Sequence, residues 1–396
     1  MLPDLPLLAR LPPFDGIILP RCPFHPFSAQ RRRIMSSTTP DQPAPKKYTW
    51  NPLYDTPRDL IGHGPNPPHP HWPNNAKLAL SFVINYEEGG EYSVLNGDPK
   101  SESYLTEVAG SSPRHESRNT NIESEYDFGA RAGIWRLLRI FEHAGLYGTI
   151  YGVGLALEKN PAVAKECQRL GWEIASHGWR WIDYHSVPEA QERVEINRCI
   201  DLITAQTGQA PRGWYIGRLS PQSYSLLHQI YAERGLELLW LSDSYADDLP
   251  YYHPIPVGLH KTTATTTTNP NPNNDNEHAP GGETPPPQPS LILPYSLDTN
   301  DFKYLLPNAW ASPDDFLAYL IAAFDELYAE GEAGSPKMMS VGLHARISGR
   351  AGRAGAVRRF VEYVKGREGV WVATREEIAR GWVATNPYLC RGEGET

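Results

Sequence analysis

Short apolar runs and helical spacings alternate about seven times between residues 78 and 385, and this rhythm most constrains the fold. LALSFVINY (78–86), GTIYGV (148–153), WEIAS (172–176), GWYIG (213–217), LELLWL (236–241), KMMSVGL (337–343) and GVWVA (369–373) read as strands. Runs this short and this apolar suit strands buried on both faces. Helix signals lie between them. Over 128–144, Ile134, Leu137, Leu138 and Phe141 fall on one side, and Gly145 supplies a stop. Asn160-Pro161, Ser220-Pro221 and Ser312-Pro313 read as cap and first-turn pairs, Pro188 opens 188–206, and Thr374 to Glu377 fits a capping box. Strands joined by helical crossovers run parallel, so the chain is an α/β barrel or a doubly wound sheet. No glycine-rich phosphate fingerprint follows a strand, which disfavours a dinucleotide fold.

Composition narrows the class. A formal net charge of −9 over 396 residues, with only short basic clusters, argues against a nucleic-acid partner. No apolar stretch approaches the roughly 20 residues of a membrane helix. The four cysteines are far apart and show no C-x-x-C spacing, which reads as reduced thiols in a cytoplasmic protein. Residues 1–46 are proline-rich and read as a disordered leader. Its interrupted apolar patches are not a clean secretory signal, and it either targets the chain or precedes a true start at Met35. Residues 261–290 are a low-complexity insertion too poor in apolar residues to repay its ordering entropy. The rest of 47–396 is expected to be one catalytic domain.

Barrel enzymes gather their chemistry at the C-terminal ends of strands. Here those ends carry ionisable groups. The first strand delivers Glu87 and Glu88; the third delivers His177, with Arg180, Trp181 and Asp183 beyond it. The stretch 213–217 presents Trp214 and Tyr215, followed by Arg218. Later strands deliver Asp243 and His344, with Arg346 following, and LPYSLDTND (293–301) adds Asp298, Asn300 and Asp301. Any one of these fits a solvated strand end or a satisfied core residue. Their convergence on one face of a parallel sheet argues for a site.

In that order the residues resemble the polysaccharide deacetylase (NodB-homology) family, over about residues 50–385. The family's T-F-D-D-G motif corresponds to Asn85-Tyr86-Glu87-Glu88-Gly89, and its H-x-x-x-H metal pair to His177-Gly178-Trp179-Arg180-Trp181. R-x-P-Y corresponds to Arg212-Gly213-Trp214-Tyr215, and L-x-L-H to Val341-Gly342-Leu343-His344. The resemblance implies a distorted (β/α) barrel of about seven parallel strands in a single domain. Two departures stand out. Trp181 replaces the second metal histidine, and indole cannot ligate a metal; Glu88 replaces the metal-binding aspartate. His185 compensates only if its loop folds back.

These departures, and the phrases NYEEGGE, SHGWRWIDY, DSYADDLPY and MMSVGLHARISGR, are similar to the metal-independent allantoinase branch of purine catabolism. That likeness implies a cyclic amidohydrolase that opens allantoin to allantoate with no cofactor, zinc being the lesser alternative. It implies Glu87 or Glu88 as base, with mutual repulsion raising one pKa, and His177 and His344 as proton donor and oxyanion partner. Arg180 or Arg218 would stabilise negative charge, Trp181, Trp214 and Tyr215 would wall the ring, and Asp183, Asp243 and Asn300 complete the substrate set. The expected partner is a small cyclic ureide, bound by a homo-oligomer. Two alternatives stay open: a metal-dependent deacetylase of N-acetylated sugars, and a non-catalytic ligand-binding member of the fold.

Overall fold

The computed structural model describes residues 48–256 except 109, and 288–388 except 308. The expected leader and most of the expected insertion lie outside these residues. A mixed sheet of nine strands organises the domain. They are β1 (Leu78–Tyr86), β2 (Thr149–Gly152), β3 (Glu173–Ser176), β4 (Gly213–Trp214), β5 (Trp240–Leu241), β6 (Tyr251–Ile255), β7 (Gln288–Ile292), β8 (Lys337–His344) and β9 (Val370–Val372). Their order is β6-β7-β5-β4-β3-β2-β1-β8, with β9 also on β1. Every pairing is parallel except the β6–β7 hairpin.

β1 is the hub. All nine of its residues are buried, as suits a mostly apolar strand covered on both faces. Its last four residues pair with β2, its first three with β9, and its other edge runs along β8 from Leu78–Lys337 to Asn85–His344. This register brings the ends of β1 and β8 level, so Glu87 and His344 emerge side by side. The sheet curls, and irregular backbone bridges its open side. Gly342 donates its N–H to Thr299 O at 3.1 Å, and Met338 donates to Asp248 O at 3.0 Å. A (β/α) barrel completed by loops is the result.

Several sequence expectations need adjustment. Only Gly213–Trp214 of GWYIG is strand, because the chain turns at Gly217, which adopts φ +78°. LELLWL shortens to Trp240–Leu241. The first helical region starts earlier than 128: α1 (Thr120–Phe128) runs through a π-turn, Gly129–Gly133, into α2 (Ile134–Ala144). Residues 288–290, expected in the insertion, begin β7 and pair with β6. Polar and proline-rich composition hid this strand, whose order comes from antiparallel pairing. The capping boxes at Ser312 and Thr374 form, each with both reciprocal hydrogen bonds. Cys167 and Cys199 are free and buried. Among the described residues no helix is long and apolar enough to cross a membrane.

Loop closure depends on close approach at Gly342. A Cβ there would sit 2.2 Å from Asn300 Nδ2 and 2.4 Å from Tyr295 Oη. Gly342→Ala is therefore expected to lower stability by about 1–3 kcal/mol through overpacking. Thermal denaturation checks this, and an unchanged midpoint would refute the closure argument.

Candidate active site

The strand-end rule places Glu87, His177 and His344 together at the mouth of the barrel. Glu87 Oε1 lies 3.3 Å from His177 Nε2 and 3.4 Å from His344 Nε2. Its other oxygen accepts a hydrogen bond from the Arg346 guanidinium. All four side chains are buried. Burial alone would raise the Glu87 pKa, but Arg346 and His344 more than offset it and hold the carboxyl well below its usual range. His344 moves the other way. Burial lowers its pKa, yet Glu87 and Asp301 raise it to about 9. Asp301 Oδ1 lies 2.6 Å from His344 Nδ1, and Oδ2 accepts the His344 N–H at 2.8 Å. The ring is thus fixed from behind with Nε2 turned toward Glu87. At neutral pH the pair is a carboxylate facing an imidazolium.

Glu88 does not join this cluster. Its carboxylate turns to the opposite side of β1, where Oε2 accepts the Glu87 N–H and Oε1 the Arg346 N–H, each at 3.0 Å. It packs so closely on the π-turn that a Cβ on Gly129 would fall 2.2 Å from Oε1. Burial raises its pKa to about 7, outweighing Arg346, with Glu87 adding less. The expected carboxylate pair is corrected in this respect. Glu88 lies in the turn closed by the Gly90 N–H on Glu87 O at 2.8 Å, so the two acids are adjacent in sequence but do not share a cavity.

The cavity over Glu87 has a volume of about 160 Å3 and is lined by His177, His344, Trp181, Tyr215, Arg218 and Asn300, among others. Trp181 stacks on Tyr104 with ring centres 6.1 Å apart, and the Arg218 guanidinium lies 4.2 Å over the Trp181 ring. Arg218 also donates to Trp181 O at 2.6 Å. Tyr295 Oη accepts from Asn85 Nδ2 at 3.1 Å and Asn300 Nδ2 at 3.2 Å. Asp243 stands behind the lining, accepting the N–H groups of Ile216 and Gly217. It shapes the wall rather than facing the cavity.

Three expected substrate contacts lie elsewhere. Trp214 is fully buried and donates to Tyr231 Oη at 2.6 Å, so it is a core residue. Its side chain faces the helix that carries Tyr231, while that of Tyr215, the residue after β4, lines the cavity. Asp183 is exposed and accepts the His185 N–H at the start of a 3-10 turn. Arg180 is consumed in holding the loop after β1, through Gly90 O, Glu91 O and Asp98. Conversely, strand-end position flagged Arg346 and Asp301 without giving either a role. Their roles depend on partners more than 40 residues away in sequence. Asn85, Tyr104, Tyr245 and Tyr295 also line the cavity, and none of them was expected as a site residue.

The metal site usual in this fold does not fit these residues. Trp181 occupies the position of the second histidine, Glu88 faces away from His177, and the guanidinium of Arg346 already contacts Glu87. His185 is exposed and does not fold back. Among the described residues no three His, Cys, Asp or Glu side chains are arranged to hold a metal ion.

A family model described as polysaccharide deacetylase matches residues 116–237. A Schizosaccharomyces pombe protein named for polysaccharide deacetylase is 40% identical over 340 residues, covering 85% of this chain and 99% of that one. This chain belongs to the polysaccharide deacetylase family. Among solved structures of the family, a probable polysaccharide deacetylase from Pseudomonas aeruginosa PAO1 is 42% identical, with TM-score 0.72, covering 84% of this chain and 100% of that one. A PuuE allantoinase structure is 45% identical, with the same TM-score of 0.72, covering 85% and 100%. The chain is a deacetylase-family hydrolase.

The two acids should separate cleanly on substitution. Glu87→Gln is expected to reduce kcat by at least about 100-fold, and Glu88→Gln by less than about tenfold, in protein with native far-UV circular dichroism. The reverse order would show that Glu88 does the chemistry.

Proposed function

We propose that this protein hydrolyses a ring C–N bond of a cyclic ureide, most simply allantoin to allantoate, by general acid–base chemistry without a metal. The observation that carries this reading is the charge arrangement at Glu87: a guanidinium on one oxygen and two imidazoles at the other. A fixed cation, the Arg346 guanidinium, is in contact with Glu87. The full-length likeness to PuuE allantoinase supports the substrate class. So does the cavity of about 160 Å3, which is smaller than the roughly 300–1,000 Å3 typical of pockets for drug-sized ligands.

Ring opening requires a base for water, donors for the oxyanion and an acid for the departing nitrogen. Groups whose surroundings drive their pKa values apart fill those roles. Glu87, ionised at rest, orients a water at Oε1 and takes its proton as the water attacks the ring carbonyl. His177, with Nε2 3.3 Å from that oxygen, donates to it and holds it in place. His344, protonated and held by Asp301, donates to the oxyanion and then protonates the ring nitrogen as the C–N bond breaks. Trp181 and Tyr215 supply flat walls for the ring, and Arg218 and Asn300 face its polar edge.

Purified protein treated with chelator is expected to hydrolyse allantoin at an unchanged rate. Loss of activity with EDTA, restored by zinc or cobalt, would defeat the metal-free mechanism. Deacetylation of chitooligosaccharides under the same conditions would favour the sugar deacetylase reading.

The pH profile offers an independent check. His344 works protonated, so kcat should fall as pH rises through about 9. Asp301→Asn removes one of the charges that raise this pKa, and is expected to move the alkaline limb to lower pH. A limb that stays in place would exclude His344 as the acid.

A further inference from the structure

Among the described residues, five other than glycine adopt positive φ: His71, Asn74, Asn75, Leu105 and Glu116. Only Leu105 lines the cavity over Glu87, and it is the one apolar residue of the five. Its φ of +49° is a left-handed conformation that a bulky side chain rarely takes. Such strain persists only where the surroundings over-determine it, and it gathers at active sites and ligand clamps. Here both flanks are fixed. The carboxylate of buried Glu102 accepts the N–H groups of Ser103 and Tyr104, each at 2.8 Å. On the other side the Glu107 N–H donates to Glu125 Oε2 at 2.8 Å, and the Glu107 carboxylate pairs with Arg353. Across the base of the loop the Ser101 N–H donates to Arg114 O at 2.9 Å, next to a Lys100–His115 bridge. Tyr104 lines the cavity and stacks on Trp181. Leu105 itself is half-buried, with surface left to meet a ligand.

A polar ring finds hydrogen-bonding partners in Glu87, His177, His344, Arg218 and Asn300, and none in a leucine. What a fixed, branched apolar side chain can do in a cavity of about 160 Å3 is exclude bulk. Glycine at this position would relieve the backbone but leave that space open. Taking the cavity as a cyclic-ureide site, as proposed above, we propose that Leu105 determines which rings it admits. It limits the substituent on the saturated ring carbon to a short one and rejects rings that carry a bulky one. The substrate class is thereby narrowed from cyclic ureides in general to those with a small side group.

The test is isothermal titration of the full chain with hydantoin and with its benzyl derivative, substituted on the saturated ring carbon. The protein carries Glu87→Gln so that turnover does not obscure binding. With Leu105 in place, hydantoin is expected to bind at least about tenfold more tightly than the benzyl compound. Leu105→Gly is expected to bring the two within about threefold of each other. Its thermal midpoint should not fall, because glycine takes positive φ freely. Leu105→Ala removes the branched group but keeps the strain, and should narrow the preference in the same direction. No preference in the parent, a preference that survives both substitutions, an equal loss of both rings, or binding of neither ring would overturn the proposal. Hydrolysis of allantoin by protein that retains Glu87 is measured alongside. Its absence together with a Leu105-dependent preference defeats the catalytic reading and upholds the role of Leu105; turnover without such a preference does the reverse.

Discussion

The contact between Arg346 and Glu87 is the one on which the site depends. Both groups are buried, and an isolated ion in a low-dielectric interior is prohibitively costly. Each therefore requires the other, and the rest of the site is arranged around keeping them paired. Glu88 clamps the backbone N–H groups of both Glu87 and Arg346 from behind. Tyr126 and Trp181 flank the guanidinium, with ring centres 4.5 and 4.9 Å from its carbon. The aromatic faces compensate guanidinium nitrogens that have no hydrogen-bond partner. Trp181, four residues after His177, thus helps to solvate the buried cation.

The barrel makes this pairing possible. β1 and β8 run in register to Asn85 and His344, so the loops that follow them start level with each other. Arg346 reaches Glu87 across that seam. Asp301 enters from the irregular closing segment, where the Gly342 N–H meets Thr299 O, and fixes His344 by three contacts to its ring and the adjoining backbone. The site thus draws on the strongest pairing of the sheet and on its least regular side. Rigid strands set the carboxylate and imidazole, and loops supply the walls that shape the cavity.

Much of the fold was legible in the amino-acid sequence because local physics determines it. The short, mostly apolar runs at 78–86 and 337–343 suit buried strands, and the capping signals at Ser312 and Thr374 act within four residues. Where partners are distant, local signals fail. The strand at 288–292 reads as part of a polar tract, and only its pairing with Tyr251–Ile255 makes it a strand. GWYIG reads as five extended residues, but three of them answer to Ser176 and Asp243 instead of a ladder.

By itself the sequence determined the parallel α/β class and the ionisable residues that end its strands, since each is a matter of residue type and spacing. Only the tertiary structure decided what the two glutamates do. Glu87 follows the end of β1 and Glu88 enters a turn, and which of them meets Arg346, His177 and His344 depends on strands far apart in the chain. Glu87 is drawn into the cavity as an ionised carboxylate, whereas Glu88 is turned behind the sheet to hold backbone amides. The same separation sent Tyr215 to the cavity and Trp214 to the core, because the pleat of a strand has a fixed period while its register is set by neighbours.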